Sequence, residues 1–250
     1  MQLRNKNVLI FGGGSGIGKA IATRFIAAGA KVLITGRTEA KLKAASEEIN
    51  SPNLFYKVFD ITNIEEHTTL FLECQNLLGG LDAFVNSAAI GTHEFTGRGY
   101  EPWDITGEEW DTLSDINFKA AFFLIRNQVD YMLERGIRGN ILNLSSNAAY
   151  MDIIGSYGAA KDAIANWTRA FGKRYGHKGI IINGIAPGAT FTPIIASYAH
   201  DVNQKYERHA IERFIKPEEI AELAFYLMSD YGEIICGHTV VADGGDNAAF

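Results

Sequence analysis

Short apolar runs alternate along the chain with segments in which apolar residues recur every three or four positions. The first apolar run covers residues 8–11 and leads into a group of glycines. After the glycines, Ile17, Ile21, Phe25 and Ala28 fall on one face of a predicted helix. The alternation predicts strands at 8–11, 31–35, 54–59, 83–85, 141–144, 180–185 and 238–241, and helices at 17–29, 39–50, 64–78, 107–135, 156–175 and 217–229.

The predicted strands are apolar throughout, which indicates burial on both faces. Such strands are typical of a parallel sheet covered by helices. The predicted fold class is therefore α/β, with residues 1–250 forming one domain: a doubly wound, Rossmann-type parallel sheet of about seven strands with helices on both faces. Two irregular stretches, 91–106 and 188–216, follow predicted strands. We expect them at the carboxyl edge of the sheet, where such folds bind ligands.

Composition and charge exclude several classes of protein. With 47% hydrophobic and 21% charged residues among 250, the chain is neither disordered nor fibrous. A formal net charge of −6 argues against a nucleic-acid partner. Cys74 and Cys236 stand alone, so we expect neither disulfide framework nor metal site. No apolar segment approaches the roughly 20 residues that cross a bilayer, and we expect a cytoplasmic protein without a membrane partner.

A glycine-rich loop lies between the first predicted strand and the first predicted helix. Its key residues are Gly12, Gly16 and Gly18, with Ser15 and Ile17 between them. Glycines at this spacing permit a tight turn and the close approach of a diphosphate to the backbone amides of the helix N-terminus. Alone, the loop is also compatible with an ordinary turn that needs positive φ angles.

A tyrosine and a lysine stand one helical turn apart in the sequence YGAAK. Tyr157 and Lys161 therefore share a face of the predicted helix. Tyrosine has an ordinary pKa of about 10 and is a poor base at neutral pH, but a nearby ammonium group favours the phenolate. Ser146 follows the predicted strand 141–144 and comes to the same sheet edge. Together these residues predict a proton-transfer site.

The motifs resemble those of the short-chain dehydrogenase/reductase family over essentially the whole chain. The resemblance rests on the glycine spacing, on YGAAK, and on the sequence ADGG at 242–245. It implies a nicotinamide cofactor that contacts the glycine loop and the segments after the strands. The implied contact residues are Gly12, Ser15, Gly16, Ile17, Gly18, Arg37, Asp60, Ile61, Asn86, Ala88, Tyr157, Lys161, Pro187, Gly188, Thr190 and Thr192.

The resemblance also implies a catalytic group of four residues. Tyr157 is the general acid or base, and Lys161 orients the cofactor ribose and tunes the tyrosine. Ser146 holds the substrate oxygen, and Asn117 supports a water relay to the lysine. Ser145 is a weaker alternative to Ser146.

The end of the second predicted strand discriminates between the two nicotinamide cofactors. Family members specific for NAD usually carry an aspartate where this chain has Gly36, and Arg37 follows it. A guanidinium group offers donors that suit the additional phosphate of NADP. We therefore expect NADP(H), with NAD(H) as the less favoured cofactor. A second basic residue inside the glycine loop is absent, since Ser15 stands there.

Several positions depart from the family pattern. Phe11 replaces a threonine before the glycine loop, and Ser87 and Ala89 change the sequence NNAG to NSAA. The interval between Ser146 and Tyr157 is also shorter than usual. None of these departures removes a group to which the family resemblance gives a catalytic role.

The two irregular stretches are the predicted walls of a substrate pocket. The resemblance implies a mobile lid at about 189–215, whose residues 194–214 have helical character. Candidate substrate contacts in the lid and in the opposite wall are Ile194, Ile195, Tyr198 and Tyr206, and His93, Phe95, Arg98, Tyr100 and Trp103.

Three functions remain open at this point. The leading hypothesis is an NADP(H)-dependent oxidoreductase that transfers a hydride between the nicotinamide and a small ketone or secondary alcohol. The alternatives are a catalytically idle, NADP-binding sensor and an NAD-preferring dehydrogenase of the same family. The resemblance further implies a homo-oligomer, with a tetramer favoured.

Overall fold

Seven parallel strands form a single sheet. The computed structural model describes residues 3–97, 104–151, 155–195 and 199–247, without the side chains of residues 93 and 94. The strand order is β3-β2-β1-β4-β5-β6-β7, and every neighbouring pair is parallel. The strands are β1 (Asn7–Phe11), β2 (Lys31–Gly36), β3 (Leu54–Val58), β4 (Ala83–Asn86), β5 (Gly139–Leu144), β6 (Ile180–Pro187) and β7 (Thr239–Ala242).

Each connection between consecutive strands contains at least one helix, and the connection from β4 to β5 contains three. The helices are α1 (Gly16–Ala27), α2 (Glu39–Ile49), α3 (His67–Leu78), α4 (Thr92–Thr96), α5 (Gly107–Ser114), α6 (Ala121–Arg135), α7 (Ser156–Tyr175) and α8 (Pro217–Met228). Short 3₁₀ turns cover Ile64–Glu66, Asn147–Tyr150, Gly176–Lys178, Pro193–Ile195 and Asp230–Gly232. Within the described ranges, no helix has both the length and the apolar character that a membrane crossing requires.

The sheet is covered on both faces, which is why its strands are apolar throughout. On one face, α1, α2 and α8 pack against it, and Arg24 of α1 lies 3.6 Å over the ring of Phe225 in α8. On the other face, α3, α5, α6 and α7 bury an aromatic group that includes Phe71, Phe84 and Tyr131. These two cores confirm the predicted doubly wound α/β fold.

The strand order reverses between β1 and β4, so the connections from these two strands leave in opposite directions. The gap that this reversal opens lies at the carboxyl ends of the strands. The glycine-rich loop follows β1 and residues 87–91 follow β4, so both predicted ligand-binding segments border this gap.

Three local predictions need correction. The predicted helix at 107–135 is α5 and α6 joined by a π-helical segment, Asp115–Ala120. The irregular stretch 91–106 contains the short helix α4. The helical character expected for 194–214 is wrong for residues 199–214, which form turns and a bridge between Lys205 and Arg213. An amphipathic pattern is a weak predictor in a segment that is held by tertiary contacts instead of by its own backbone hydrogen bonds.

Candidate active site

The glycine loop makes a tight turn between β1 and α1. Gly12 has φ +77°, and a Cβ atom there would lie 2.8 Å from the backbone of Ala88. Gly16 has φ +52°, and its Cβ atom would lie 3.2 Å from Thr192. The loop is thus held between the segments after β4 and β6. Only glycine fits at Gly12, because any side chain would meet backbone atoms.

The N-terminus of α1 is open to an anion. Ser15 is the N-cap residue, but its side chain makes no capping hydrogen bond, and the first turn of α1 contains no acidic residue. The backbone amides of this turn therefore keep their positive partial charge. A diphosphate is the kind of group that such a turn holds.

Twelve of the predicted cofactor residues line one cavity at the carboxyl edge of the sheet. They are Gly12, Ser15, Gly16, Ile17, Arg37, Asp60, Ile61, Ala88, Tyr157, Lys161, Pro187 and Thr192. The structure therefore brings together residues from five strand ends and from α7. This is the arrangement that a long, extended ligand such as a dinucleotide needs.

One end of this cavity is basic. Arg37 and Lys41 both line it, together with Gly36 and Thr38. Sequence reasoning missed Lys41, which lies in the first turn of α2. Arg37 precedes the N-cap residue Thr38, so no helical spacing relates the two basic residues, and only the fold shows that both line the cavity. The residues after β2 and in α2 that line this end include no acidic side chain, and the carboxylate among the described lining residues is that of Asp60 after β3. The donor set suits a phosphate better than a ribose diol.

Tyr157 and Lys161 lie in the first two turns of α7. The Lys161 Nζ atom is 5.5 Å from the centroid of the Tyr157 ring and donates a hydrogen bond of 2.9 Å to the Leu144 carbonyl oxygen. Because α7 begins at Ser156, its N-terminal dipole also favours negative charge on the tyrosine. Burial lowers the pKa of Lys161 from 10.5 to about 8, since the charged form loses solvation.

The two adjacent serines have different environments. The Ser145 hydroxyl is buried and donates a 2.6 Å hydrogen bond to the Lys161 carbonyl oxygen, so its proton serves to hold α7. Ser146 lines a second cavity of about 420 Å³, which also contains Tyr157, Gly188 and Thr190. The Ser146 side chain accepts a hydrogen bond from the Ala148 amide at 3.2 Å. The second cavity has the size of a small-molecule pocket.

Three predicted site residues, Gly18, Asn86 and Asn117, lie outside both cavities. A Cβ atom at Gly18 would come within 2.2 Å of the Gly12 carbonyl oxygen, so Gly18 lets α1 approach the loop. Asn117, in the π-helical segment, bonds the Ile90 backbone through both amide atoms, at 3.0 and 2.9 Å. It thereby fixes the chain that follows β4.

The Asn86 side chain belongs to a buried polar network below the site. Its Nδ2 atom donates to Asn143 at 2.7 Å and to Gln128 at 2.9 Å. The Asn143 amide in turn donates to the Thr168 hydroxyl on α7 at 2.9 Å. This network ties β4, β5, α6 and α7 together, so Asn86 contributes by holding the scaffold, and its side chain does not line the cavity.

The second cavity contains residues that sequence reasoning did not select. Asn147, Met151, Arg208 and Asp246 line it, and they come from segments far apart in the sequence. No local motif marks such residues. Of the predicted substrate contacts, Ile194, Ile195 and Tyr206 line this cavity and Phe95 is partly exposed outside it. Arg98, Tyr100, Trp103, Tyr198 and the side chain of His93 lie outside the described residues.

The departure at Phe11 has a packing explanation. Phe11 is fully buried and makes edge-on contacts with Phe59 and Phe71, both with ring centroids 6.4 Å apart. Its backbone carbonyl oxygen still accepts a hydrogen bond from the Ser87 amide at 3.0 Å. The phenyl ring therefore adds to the core while the backbone connection to the next strand is retained.

Metal ligation has no visible basis in the described part of the chain. No three histidine, cysteine, aspartate or glutamate side chains there lie close enough to share an ion.

The lowered pKa of Lys161 predicts a pH-dependent stability. Because the folded chain releases this proton near pH 8 and the unfolded chain near 10.5, the unfolded chain binds more protons between these values. The free energy of unfolding contributed by this group therefore rises with pH across that window, by on the order of 3 kcal/mol, and below pH 8 the full burial penalty remains. Lys161→Met should remove this rise, as measured by chemical denaturation without ligand at pH 7.5, 9 and 10.5.

Lys173→Met is the matched control for this experiment. Lys173 lies on the same helix and is exposed, so its substitution should leave the pH dependence of the parent protein unchanged. If the free energy of unfolding depends on pH in the same way in the parent and in Lys161→Met, burial does not destabilise the charged form of Lys161.

Comparisons with known proteins agree with this geometry. The sequence profile of a family described as enoyl-(acyl carrier protein) reductase matches residues 12–247. The chain is 32% identical to 2,5-dichloro-2,5-cyclohexadiene-1,4-diol dehydrogenase of Sphingobium indicum, over 99% of both chains. It is 30% identical to levodione reductase of Leifsonia aquatica, over 100% of this chain and 97% of the relative.

A solved structure has the same fold. The crystal structure of 3-ketoacyl-(acyl-carrier-protein) reductase from Brucella melitensis, complexed with NADH, superposes with a TM-score of 0.88 at 26% identity. The superposition covers 98% of this chain and 100% of that one. Profile, relatives and fold agree over nearly the full length, and the chain belongs to the short-chain dehydrogenase/reductase family of oxidoreductases.

Proposed function

We propose that the protein is an NADP(H)-dependent oxidoreductase that transfers a hydride between the nicotinamide and a ketone or secondary alcohol. The observation that carries this proposal is the wall shared by the two cavities. Tyr157 lines both, and so do Ile17, Pro187, Thr192 and Ile194. A dinucleotide in the first cavity and a small molecule in the second would therefore meet beside the tyrosine.

The residues of the first cavity fit a dinucleotide phosphate. The glycine loop and the open first turn of α1 would hold the diphosphate, and Arg37 and Lys41 would hold the additional phosphate. Asp60 accepts two hydrogen bonds from Thr62 on one carboxylate oxygen, which leaves the other oxygen for the adenine amino group. When bound, the cofactor supplies or accepts the hydride.

The side chains of the site transfer the proton, hold the substrate and support the loop after β4. In the reductive direction Tyr157 donates its proton to the carbonyl oxygen, and the Lys161 ammonium stabilises the phenolate that remains. Ser146 holds the substrate oxygen in the second cavity. Asn117 holds the segment with Ala88 against the first cavity, and its support of a water relay to Lys161 stays a prediction.

Tyr157→Phe tests this chemistry. Purified protein should oxidise NADPH with members of a panel of cyclic ketones, diketones and 3-oxoacyl thioesters, and the reverse reaction should occur with the matching alcohols. Removal of the phenol should lower kcat by at least about 100-fold, because it removes the general acid. Loss of absorbance at the nicotinamide band measures the rate, and the affinity for NADPH should be retained.

Two results would contradict the proposed chemistry. Turnover that survives Tyr157→Phe would exclude the tyrosine as the acid. Tight NADPH binding without turnover on the whole panel would instead favour the idle sensor.

The preference for NADP(H) over NAD(H) is tested at the basic end of the first cavity. Arg37→Ala and Lys41→Ala should each weaken NADPH binding about 10-fold or more, because each removes a charge-assisted contact worth roughly 1.5–3 kcal/mol. NADH binding should not change. Gly36→Asp should reverse the preference, since a Cβ atom there makes only an ordinary 3.7 Å contact with Leu42. Calorimetric titration gives the dissociation constants.

Lys43→Ala is the matched control for the two basic residues. Lys43 is on the same helix as Lys41 and is exposed. Its Nζ atom lies 4.0 Å from Glu47, outside the cavity. Its removal should leave both affinities unchanged. If NADPH binds equally to all of these variants, an NAD-preferring dehydrogenase becomes the better description.

A second copy of the chain is the proposed macromolecular partner. Phe118 and Trp110 are 43% and 44% exposed, and the Phe118 ring lies 5.0 Å from the ring of Trp167. Exposed aromatic groups of this kind are enriched in protein interfaces. The homo-oligomer, with a tetramer favoured by the family, would bury this surface.

Phe118→Glu should dissociate the oligomer, because it places a charge in the buried aromatic surface. The native mass from light scattering during gel filtration should fall to that of a smaller species. Leu77→Glu, at a 51% exposed position on α3, is the control and should keep the parent mass. An unchanged mass for Phe118→Glu would remove this surface from the interface.

The two cysteines support a cytoplasmic location. Neither Cys74 nor Cys236 forms a disulfide, and burial raises the pKa of Cys74 to about 12. A protein that keeps its thiols reduced suits a reducing compartment.

A further inference from the structure

The segment after β7 folds back over the loop that carries Ser146. The Asp243 carboxylate accepts hydrogen bonds from the backbone amides of Gly245 and Asn247, at 3.0 and 2.9 Å. The resulting turn brings Asp246 against the 3₁₀ turn Asn147–Tyr150. Two parts of the chain that are 99 residues apart in sequence thus meet at the wall of the second cavity.

The Asn147 amide is held in one orientation by this contact. Its Nδ2 atom donates to Asp246 Oδ2 at 2.9 Å, and its Oδ1 atom accepts from the Ser146 hydroxyl at 3.3 Å. An ionised carboxylate only accepts hydrogen bonds, so the NH₂ group must face Asp246 and the oxygen must face Ser146. Both side chains are more than nine-tenths buried, at 9% exposure for Asn147 and 8% for Asp246, so water cannot easily replace either partner.

The other oxygen of Asp246 faces the lid. Arg208 Nε lies 3.4 Å from Asp246 Oδ1, and Arg208 also lines the second cavity. The guanidinium group donates only, so an asparagine at position 246 would face Arg208 with its amide oxygen. The carboxylate satisfies the lid arginine and the Asn147 amide at once because it offers an acceptor on each side.

We propose that Asp246 is a positioning residue that acts through Asn147 to orient the Ser146 hydroxyl. This inference rests on the proposed function, in which Ser146 holds the substrate oxygen. With Asp246 present, Ser146 has an acceptor on one side and the Ala148 amide on another, which fixes the Oγ atom and leaves one lone pair for the cavity. The hydroxyl proton can turn from Asn147 towards a carbonyl oxygen without any movement of heavy atoms.

Asp246→Asn exchanges the donor and acceptor roles along the hydrogen bonds that join residue 246, Asn147 and Ser146. Arg208 would take the amide oxygen of the new side chain, and its NH₂ group would then face Asn147. The Asn147 amide would then flip and donate to Ser146, so that the Ser146 oxygen accepts two hydrogen bonds and its proton, which has lost its acceptor at Asn147, turns towards the cavity. Because a carbonyl oxygen accepts a hydrogen bond from this proton, we expect kcat/KM for ketone reduction to rise about 10-fold, with unchanged affinity for NADPH and an unchanged melting temperature.

The exchange of the two side chains is the matched rescue. In the double variant Asn147→Asp with Asp246→Asn, the carboxylate at position 147 accepts from the new amide and again from Ser146, and kcat/KM should return to within about 3-fold of the parent. Glu207→Gln removes a negative charge from the residue beside Arg208, whose side chain is 79% exposed, and should have no effect.

A double-mutant cycle with Ser146→Ala separates positioning from a general structural effect. If Asp246 acts through Ser146, then Asp246→Asn should leave kcat/KM unchanged when Ser146 is already alanine. An equal change in both backgrounds would overturn the positioning role and leave the proposed function intact. If Ser146→Ala itself has no effect on kcat/KM, the role of Ser146 in the proposed function fails, and the inference fails with it.

A second measurement does not depend on turnover. In ¹H–¹⁵N spectra, the side-chain NH₂ signals of Asn147, assigned by their loss in Asn147→Asp, should shift in Asp246→Asn and stay unchanged in Glu207→Gln. Identical Asn147 signals in the parent and in Asp246→Asn would show that the amide does not flip, which would overturn the inference even if the activity changes.

Discussion

Burial of the sheet on both faces is the constraint from which the position of the site follows. The inner residues of β1, β2 and β4 are almost completely excluded from solvent, so these strands can carry no free charge along their length. Polar groups are therefore confined to the strand ends and to the loops beyond them. At the carboxyl ends, backbone amides of the glycine loop and side chains of neighbouring loops face one gap, which the reversal of strand order opens between β1 and β4.

Four polar side chains beneath the site are hydrogen-bonded to one another. Asn86, Gln128, Asn143 and Thr168 form a continuous set of hydrogen bonds from β4 to α7. Such a network is stable only when each member has its partners, so it fixes the position of α7 relative to the strands. The position of Tyr157 and Lys161 thus depends on residues that do not line the cavity. Burial of the charged Lys161 side chain lowers the free energy of unfolding, and packing of the surrounding core must offset this cost.

Family membership restricts the chemistry more than it restricts the substrate. The relatives include a chlorinated cyclohexadienediol dehydrogenase, a levodione reductase and an acyl-carrier-protein-linked reductase by name. One fold with one set of motifs is compatible with all of these, so under the proposed function the second cavity would select the substrate. Its walls include Met151, Arg208 and Asp246, which belong to none of the family motifs.

The sequence alone determined the succession of strands and helices along the chain, the doubly wound fold class and the residues of the local motifs. It did so because burial on two faces and helical periodicity leave a pattern within a few consecutive residues. Tertiary structure decided the π-helical segment at Asn117, the scaffold role of Asn86, the turns of residues 199–214, and the meeting of Asp246 with Asn147. These features depend on contacts between residues far apart in the chain, and a hydrogen bond across 99 residues leaves no periodic trace in the sequence. Lys41 belongs with these features, since no helical spacing relates it to Arg37 and only the folded cavity wall brings the two side chains to one end of the cavity.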